Sequence, residues 1–554
     1  MPFTDTPVSA EHDDGNGEVD DDLTPTNLAD MRESIVPYAS RSSLTDPYLT
    51  MVSRTLQTEY LKLCGALDLP SPLMQEVLQD NYFEHVYRRC AVVDRAHLSQ
   101  HPSILLVQAV CLTGASMRQM SPEYFSTCEL LYIKVKTLLM TNHERDLRNI
   151  LQSLCLISCW NTTPMQVVSM ESAYHWLSIA TRLLFQAGLH REETYATVKE
   201  PRVLRRVAWY LYTMEKSYSA ALGLPCMIRP RDFHVRPLTP EDFDQFDDNS
   251  QLFVEMNKIN CLRARMLEVH WRKGEGDGAE AAYDILRSMR EWIDQLPDRF
   301  RLYRGNDPKR HYQRTVYELH VHYFVVIATF FHLCGWAVRA SITNPAVLVA
   351  SSCMARLYEE ILYREIGLFL PIHNWYISIA CVPQIHALSG SRHADATSEE
   401  ELDILRRALQ VMAIKWPQAN NLRTSLDRLY ERRVSNLRPN SHPNQTTVSD
   451  DKDDDKDPDG RPAYTHDGID KSVLNRLVCD LFPFPTSMCP RMDIIDAIEP
   501  MIPDPEGSTE TAVPAAWDED YQFDWTLNLF DPDSLTDGYV PSSSIQPFGE
   551  GLSF

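Results

Sequence analysis

The sequence predicts an all-α protein: a single large multi-helix domain, a layered or superhelical helix stack, flanked by disordered acidic N- and C-terminal segments. Three observations predict it. Apolar residues recur at helical spacing through the middle of the chain. Glycine is scarce and proline commoner, 19 against 35 in 554 residues, which fits helices separated by proline punctuation. No sustained alternation of β-branched residues occurs, and no Asn-Gly or Asp-Gly turn lies between such runs.

The elements follow in order. Residues 1–53 are acidic and polar, with eight carboxylates and no Lys or Arg in the first 22 positions. They read as disordered, with a short helix near Leu28 to Ile35. Residues 54–435 carry dense amphipathic signals and form the predicted domain. In Ser172 to Ala187, apolar residues at Ala173, Trp176, Leu177, Ala180, Leu183, Leu184 and Ala187 make one helical face, and Gly188 stands where the helix stops. In Leu204 to Leu222, the stripe is Leu204, Val207, Leu211, Met214, Tyr218 and Ala221, closed by Gly223 and Pro225. In Thr315 to Trp336, Val316, Leu319, Tyr323, Ile327, Phe330 and Cys334 form a stripe with so many further apolar neighbours that burial all round is predicted. Residues 436–514 begin as a Pro-, Asn- and Asp-rich linker, with short helical islands at Val473 to Phe484 and Met492 to Ile498. Residues 515–554 form an acidic-aromatic tail.

A hydrophobic share of 44% and an aromatic share of 10% supply a large core. The formal net charge of −24 argues against a broad basic face for nucleic acid. Thirteen cysteines lie singly in apolar helical stretches, which suits a reducing compartment. The N-terminus lacks a basic region followed by an apolar core, so no secretory signal is read. The longest apolar run, Tyr323 to Val338, contains His332 and falls short of the ~20 residues of a membrane span, so a buried core helix is expected and no membrane partner.

Catalytic and cofactor motifs are missing. There is no G-x-x-x-x-G-K-[ST] loop, no G-x-G-x-x-G after a strand, no G-x-S-x-G elbow and no H-E-x-x-H. His320 and His322 are two apart, so a helix sends them to different faces. Cys155 and Cys159 share a face, but no further ligand lies nearby in sequence, and they read as small core residues. No catalytic, cofactor-binding or metal residue is expected, and no enzyme activity.

The segment Leu204 to Asp232, LRRVAWYLYTMEKSYSAALGLPCMIRPRD, resembles the signature of the fungal-specific transcription factor domain, the middle homology region of zinc-cluster activators. The residues that carry it are Arg205, Arg206, Trp209, Tyr212, Glu215, Lys216, Gly223, Pro225, Ile228 and Asp232. The family more often has Asp-Arg at Glu215-Lys216 and Arg at Leu224, so the resemblance implies no particular ion pair there. Tyr82 to Val86 with Val92-Val93-Asp94 resembles the family's opening, and Gly188 to Arg191 a common helix ending. Trp416 to Ala419 with Leu422 to Leu429 resembles its closing helices. The likeness covers residues 55 to 435 and points toward regulators of the cutinase and acetamidase type.

That resemblance implies a nuclear transcriptional regulator of RNA polymerase II genes in a fungus. It would contact coactivators or the transcription machinery, and a DNA-binding partner protein or a dimer mate. The family's zinc cluster is expected to be missing: the first cysteine is Cys64 and no C-x-x-C occurs, whereas six closely spaced thiolates are needed. Zinc is expected only if such a cluster lies upstream. Either the factor lacks the cluster or the chain starts late. In the tail, Trp517, Phe523, Trp525, Leu527, Leu529 and Phe530 are spaced among aspartates, which keep apolar side chains solvated until a groove receives them. They are the candidate activation contacts. A helical scaffold without transcriptional activity and an all-helical enzyme are the rival readings.

Overall fold

Several helices begin where a short polar side chain accepts one of the first free N–H groups. Asp46, Ser71, Ser103, Asp146, Ser172 and Asp247 each cap a helix in this way. The computed structural model describes residues 46–100, 103–118, 122–160, 163, 167–273, 278–304, 309–338, 340, 344–364, 369–390, 396–436 and 471–498. Seventeen α-helices run through them. The first seven are α1 (Pro47–Leu63), α2 (Pro72–Asn81), α3 (Arg95–Gln100), α4 (Ile104–Ala115), α5 (Pro122–Met140), α6 (Leu147–Ile157) and α7 (Ala173–Gln186). The central five are α8 (Pro201–Leu222), α9 (Asp248–Trp271), α10 (Gly278–Gln295), α11 (Arg314–Cys334) and α12 (Pro345–Arg364). The last are α13 (Ile372–Gly390), α14 (Ala396–Ala413), α15 (Gln418–Asn436), α16 (Lys471–Asp480) and α17 (Met492–Ile498). Among the described residues the only β-type pairing is one isolated bridge, Arg191 to His234. The protein is all-α, one large helical domain.

Packing proceeds largely from each helix to its successors. α4 lies against α2, α5 and α6; α6 leads through α7 and α8 to α9; α11 is enclosed by α9, α12 and α13; and α12 to α15 close the stack. One apolar core runs through all of it. Gly114 shows how tight the stack is, because a Cβ there would lie 1.8 Å from the Leu78 carbonyl oxygen of α2. α11 is buried on nearly every side, as its composition predicts. With the 3-10 turn that follows, it spans Arg314–Val338, long enough and apolar enough to cross a membrane, yet 89% of its apolar window is inside the protein. Its length therefore exceeds the sequence expectation, while its surroundings are those of a core helix.

Two boundaries differ from those read in the sequence. Helix α1 begins at Pro47, ahead of residue 54, with no buried residue of its own. The two apolar islands form α16 and α17 and dock on the body instead of standing apart in a linker. α16 lies on α10, and α17 on α12. Phe482 stacks parallel to Phe324, Tyr323 donates to the Leu481 carbonyl at 2.8 Å, and Arg290 pairs with Asp480 at 2.7 Å. The expected helix at residues 28–35 and the tail contacts Trp517, Phe523, Trp525, Leu527, Leu529 and Phe530 lie outside the described residues.

Candidate functional site

Helix α8 carries the signature on two stripes. Arg205, Trp209, Tyr212 and Lys216 recur at i, i+4, i+7 and i+11 and share one face. Arg206, Tyr210, Thr213 and Ser217 repeat that spacing one residue on and share the next. Each stripe has its own task.

The first stripe holds down the irregular return, residues 226–242. Arg205 forks between Glu192 and Asp242, both at 2.7 Å, and lies over the Tyr195 ring at 4.4 Å. Arg236 adds a second cation to Asp242 at 2.7 Å. Burial alone would raise the Asp242 carboxyl, but Arg236, the Thr239 N–H and Arg205 hold it below its usual value. Trp209 donates its indole N–H to the Arg236 carbonyl at 2.9 Å, and Tyr212 stacks on Phe233 with ring centres 4.4 Å apart. Glu215 and Lys216 are fully buried and paired. Glu215 accepts from the Met227 N–H at 2.8 Å, and Lys216 donates to the Ile228 carbonyl. The sequence implied no particular ion pair there; the structure forms one, because both groups also satisfy the backbone of the turn that Gly223 and Pro225 create. Gly223 itself is left-handed, φ 62°, and the following N–H returns to the Ser219 carbonyl at 3.0 Å.

The second stripe reaches across the domain. One terminal nitrogen of Arg206 lies 2.6 Å from both oxygens of Asp94, and the other donates to the Tyr87 hydroxyl at 3.0 Å. The guanidinium has no exposure. Burial works against its charge, but Asp94 overcomes that and raises its pKa above the ordinary value. The opening motif and the signature, 112 residues apart, thus meet in one ion pair. Asp232 joins neither stripe. It sits near the surface with Arg229 at 2.6 Å. Of the closing motif, Trp416 is fully buried, and its indole donates to the Phe369 carbonyl at 2.8 Å.

Three clusters were not foreseen. Arg88, Arg89 and Arg314 surround the buried Glu318 at 3.1, 3.4 and 2.9 Å. Burial would raise the Glu318 carboxyl, yet Arg88, Arg314 and Arg89 hold it well below the usual range. His320 and His322 are both buried as expected of helix histidines, but His322 has specific partners, Tyr376 at 2.6 Å and Asn260 at 2.8 Å. Cys90, distant in sequence, is a free buried thiol beside those of Cys159 and Cys155, and the Tyr210 hydroxyl lies 3.5 Å from the Cys159 sulfur. Only the i,i+4 spacing of Cys155 and Cys159 hinted at this; the partners come from other elements. Among the described residues no group of three or more His, Cys, Asp or Glu is arranged to hold a metal. The dispersed thiols do not fit a binuclear zinc cluster.

Most charged residues of the signature are therefore tied into internal pairs, and they connect the opening motif to the 226–242 return. Residues 79–277 match the family model described as the fungal specific transcription factor domain.

Over that segment the chain is similar to this family.

The match includes the opening and signature motifs and stops before the closing helices. The chain is 25% identical over 301 residues to Cutinase transcription factor 1 alpha of Fusarium vanettenii, an alignment covering 49% of this chain and 32% of that protein. It is 27% identical over 255 residues to the Acetamidase regulatory protein of Aspergillus oryzae, covering 43% of this chain and 33% of that one. The corresponding protein of Emericella nidulans is 26% identical over 255 residues, 43% of this chain and 32% of that protein. The aligned parts amount to about a third of these relatives' length.

Proposed function

We propose that the chain is a fungal transcriptional regulator of RNA polymerase II genes whose helical domain presents or restrains an acidic activation tail. The match of residues 79–277 to this domain carries the proposal, because the relatives it resembles are named as transcription factors and regulatory proteins. The internal pairing of Arg205, Arg206 and the Glu215–Lys216 pair supports a structural role for the signature over catalysis. The tail supports activation: Trp517, Phe523, Trp525, Leu527, Leu529 and Phe530 stand among carboxylates, and such segments bury their apolar residues when they meet a hydrophobic groove. The partner would be a coactivator or a component of the transcription machinery, and the place of action the nucleus. DNA would be reached through a partner protein or dimer mate, or through a zinc cluster outside this sequence.

The test is a fusion of residues 515–554 to a heterologous DNA-binding domain with a reporter. The reading expects activation that falls at least tenfold when Trp517, Phe523, Trp525 and Phe530 are changed together to alanine. A silent fusion at normal protein level would favour the scaffold reading.

A further inference from the structure

The turn between α16 and α17 lays one cysteine against another. Thr486–Met488 form a 3-10 turn, and Cys489 follows in extended backbone, between Met488, which enters the core, and the exposed Pro490. The Cys489 sulfur lies 3.6 Å from that of Cys353 on α12, 136 residues away in sequence, and the Cys353 thiol donates to it. Both cysteines are free and both are buried.

What sets this pair apart is access. Cys489 forms part of the wall of an open surface depression of about 860 Å³, between α12, α14 and the turn, with Arg356, Glu360 and Glu400 around it. Cys353 is fully buried and does not line the depression. Another close pair, Cys90 and Cys159, borders an interior cavity of about 70 Å³ instead. The two sulfurs also differ in acidity. The donated Cys353 S–H holds the Cys489 thiol below its usual pKa against the effect of burial, whereas burial drives Cys353 well above it. The thiolate is the nucleophile in cysteine chemistry, so the accessible sulfur is also the more reactive one.

We propose that Cys489 is a peroxide-reactive site and that Cys353 resolves it as a disulfide, fastening the α16–α17 turn to α12. The Cys489 thiolate attacks one oxygen of hydrogen peroxide. The O–O bond breaks, and the other oxygen leaves as hydroxide and takes a proton to become water. The product is a sulfenic acid. The Cys353 sulfur, losing its proton, then attacks the Cys489 sulfur, the S–O bond breaks and a second water leaves. Two thiols are oxidised by two electrons in all, and one peroxide is reduced to two waters. To reach a bond length of roughly 2.0 Å, the sulfurs must approach by about 1.5 Å. The turn can supply that movement while α12 stays in place, because it is irregular and exposed at Thr486, Ser487 and Pro490. A cross-link between residues so far apart in sequence restricts the unfolded chain strongly, so the oxidised protein holds its last two helices more firmly. The bond is read on the protein alone, apart from any transcriptional role.

The experiment treats the whole folded chain with a slight excess of hydrogen peroxide at neutral pH, then denatures it, blocks the free thiols and digests it for mass spectrometry. Two of the thirteen thiols are lost, and the bonded peptides join Cys353 to Cys489. The melting temperature rises by several degrees and returns to its starting value with reductant. In Cys353→Ser the sulfenic acid on Cys489 has no resolving thiol and is trapped by dimedone, whereas Cys489→Ser takes up no dimedone and forms no bond. The mapping on the unaltered chain covers the case in which neither variant folds. Thirteen free thiols after treatment, a bond that joins any other pair instead, such as Cys90 and Cys159, or a Cys353–Cys489 bond that leaves the melting temperature unchanged overturns the proposal.

Discussion

Arg206 sets the residue-scale argument. Its charge is out of water and is balanced by Asp94 and Tyr87 alone among close polar partners, so removing it strands a carboxylate that is itself only 13% exposed. Breaking one side of a buried pair costs about 3–5 kcal/mol. Arg206→Ala is therefore expected to lower the denaturation free energy by that amount in a chemical melt, and Arg229→Ala, whose pair with Asp232 is largely exposed, by far less. Glu318 gives a prediction in pH. Its folded pKa lies well below the ordinary 4.5, so its contribution is complete above that value and is lost as the pH falls below it. Glu318→Gln should destabilise the protein at neutral pH, because three arginines lose their counter-charge. The melting temperature should then fall less than the wild type's between about pH 5 and pH 3. A parallel decline in both proteins would remove Glu318 from the account.

At the scale of elements, the helices were legible wherever a stripe was bounded by a cap. Ala173–Gln186 and Pro201–Leu222 start and stop within a few residues of where Gly188 and Gly223 placed them. The face of α8 that returns residues 226–242 was not legible. Its stabilising partners, Asp242 and Glu192, lie 37 and 13 residues from Arg205, and no periodicity links an ion pair to a loop at such a distance. The same holds for Arg206 with Asp94. Gly223 offers the test at this scale. A β-branched residue at φ 62° is strained, and here it would also disturb the turn that Glu215 and Lys216 hold. Gly223→Val should cost about 2 kcal/mol or more in a denaturant melt, whereas Gly223→Asn, which tolerates the left-handed region, should cost under about 1. Equal costs would mean that the turn is not held in that conformation.

At the scale of the whole molecule, the docked helices α16 and α17 extend the folded body beyond the boundary near residue 435 that composition marked. The Asp-rich stretch ahead of them concealed this, because a solvated linker and a linker followed by a docked clasp have the same composition. The clasp contributes Leu481, Phe482, Met488 and Met492 to the core, and Arg491 approaches the buried Glu401. A chain ending at residue 470 should lose about 1.5–3 kcal/mol for each such side chain and bind a hydrophobic dye that the full chain does not. An unchanged melt would show that the clasp is not part of the body.

The central proposal is that residues 515–554 activate transcription and that the helical domain presents them. It is tested most directly by fusing the whole chain, with and without residues 515–554, to a heterologous DNA-binding domain and measuring reporter output at matched protein levels. The account predicts output from the whole chain and background from the shortened one. Equal output from both, or silence from both, would contradict it.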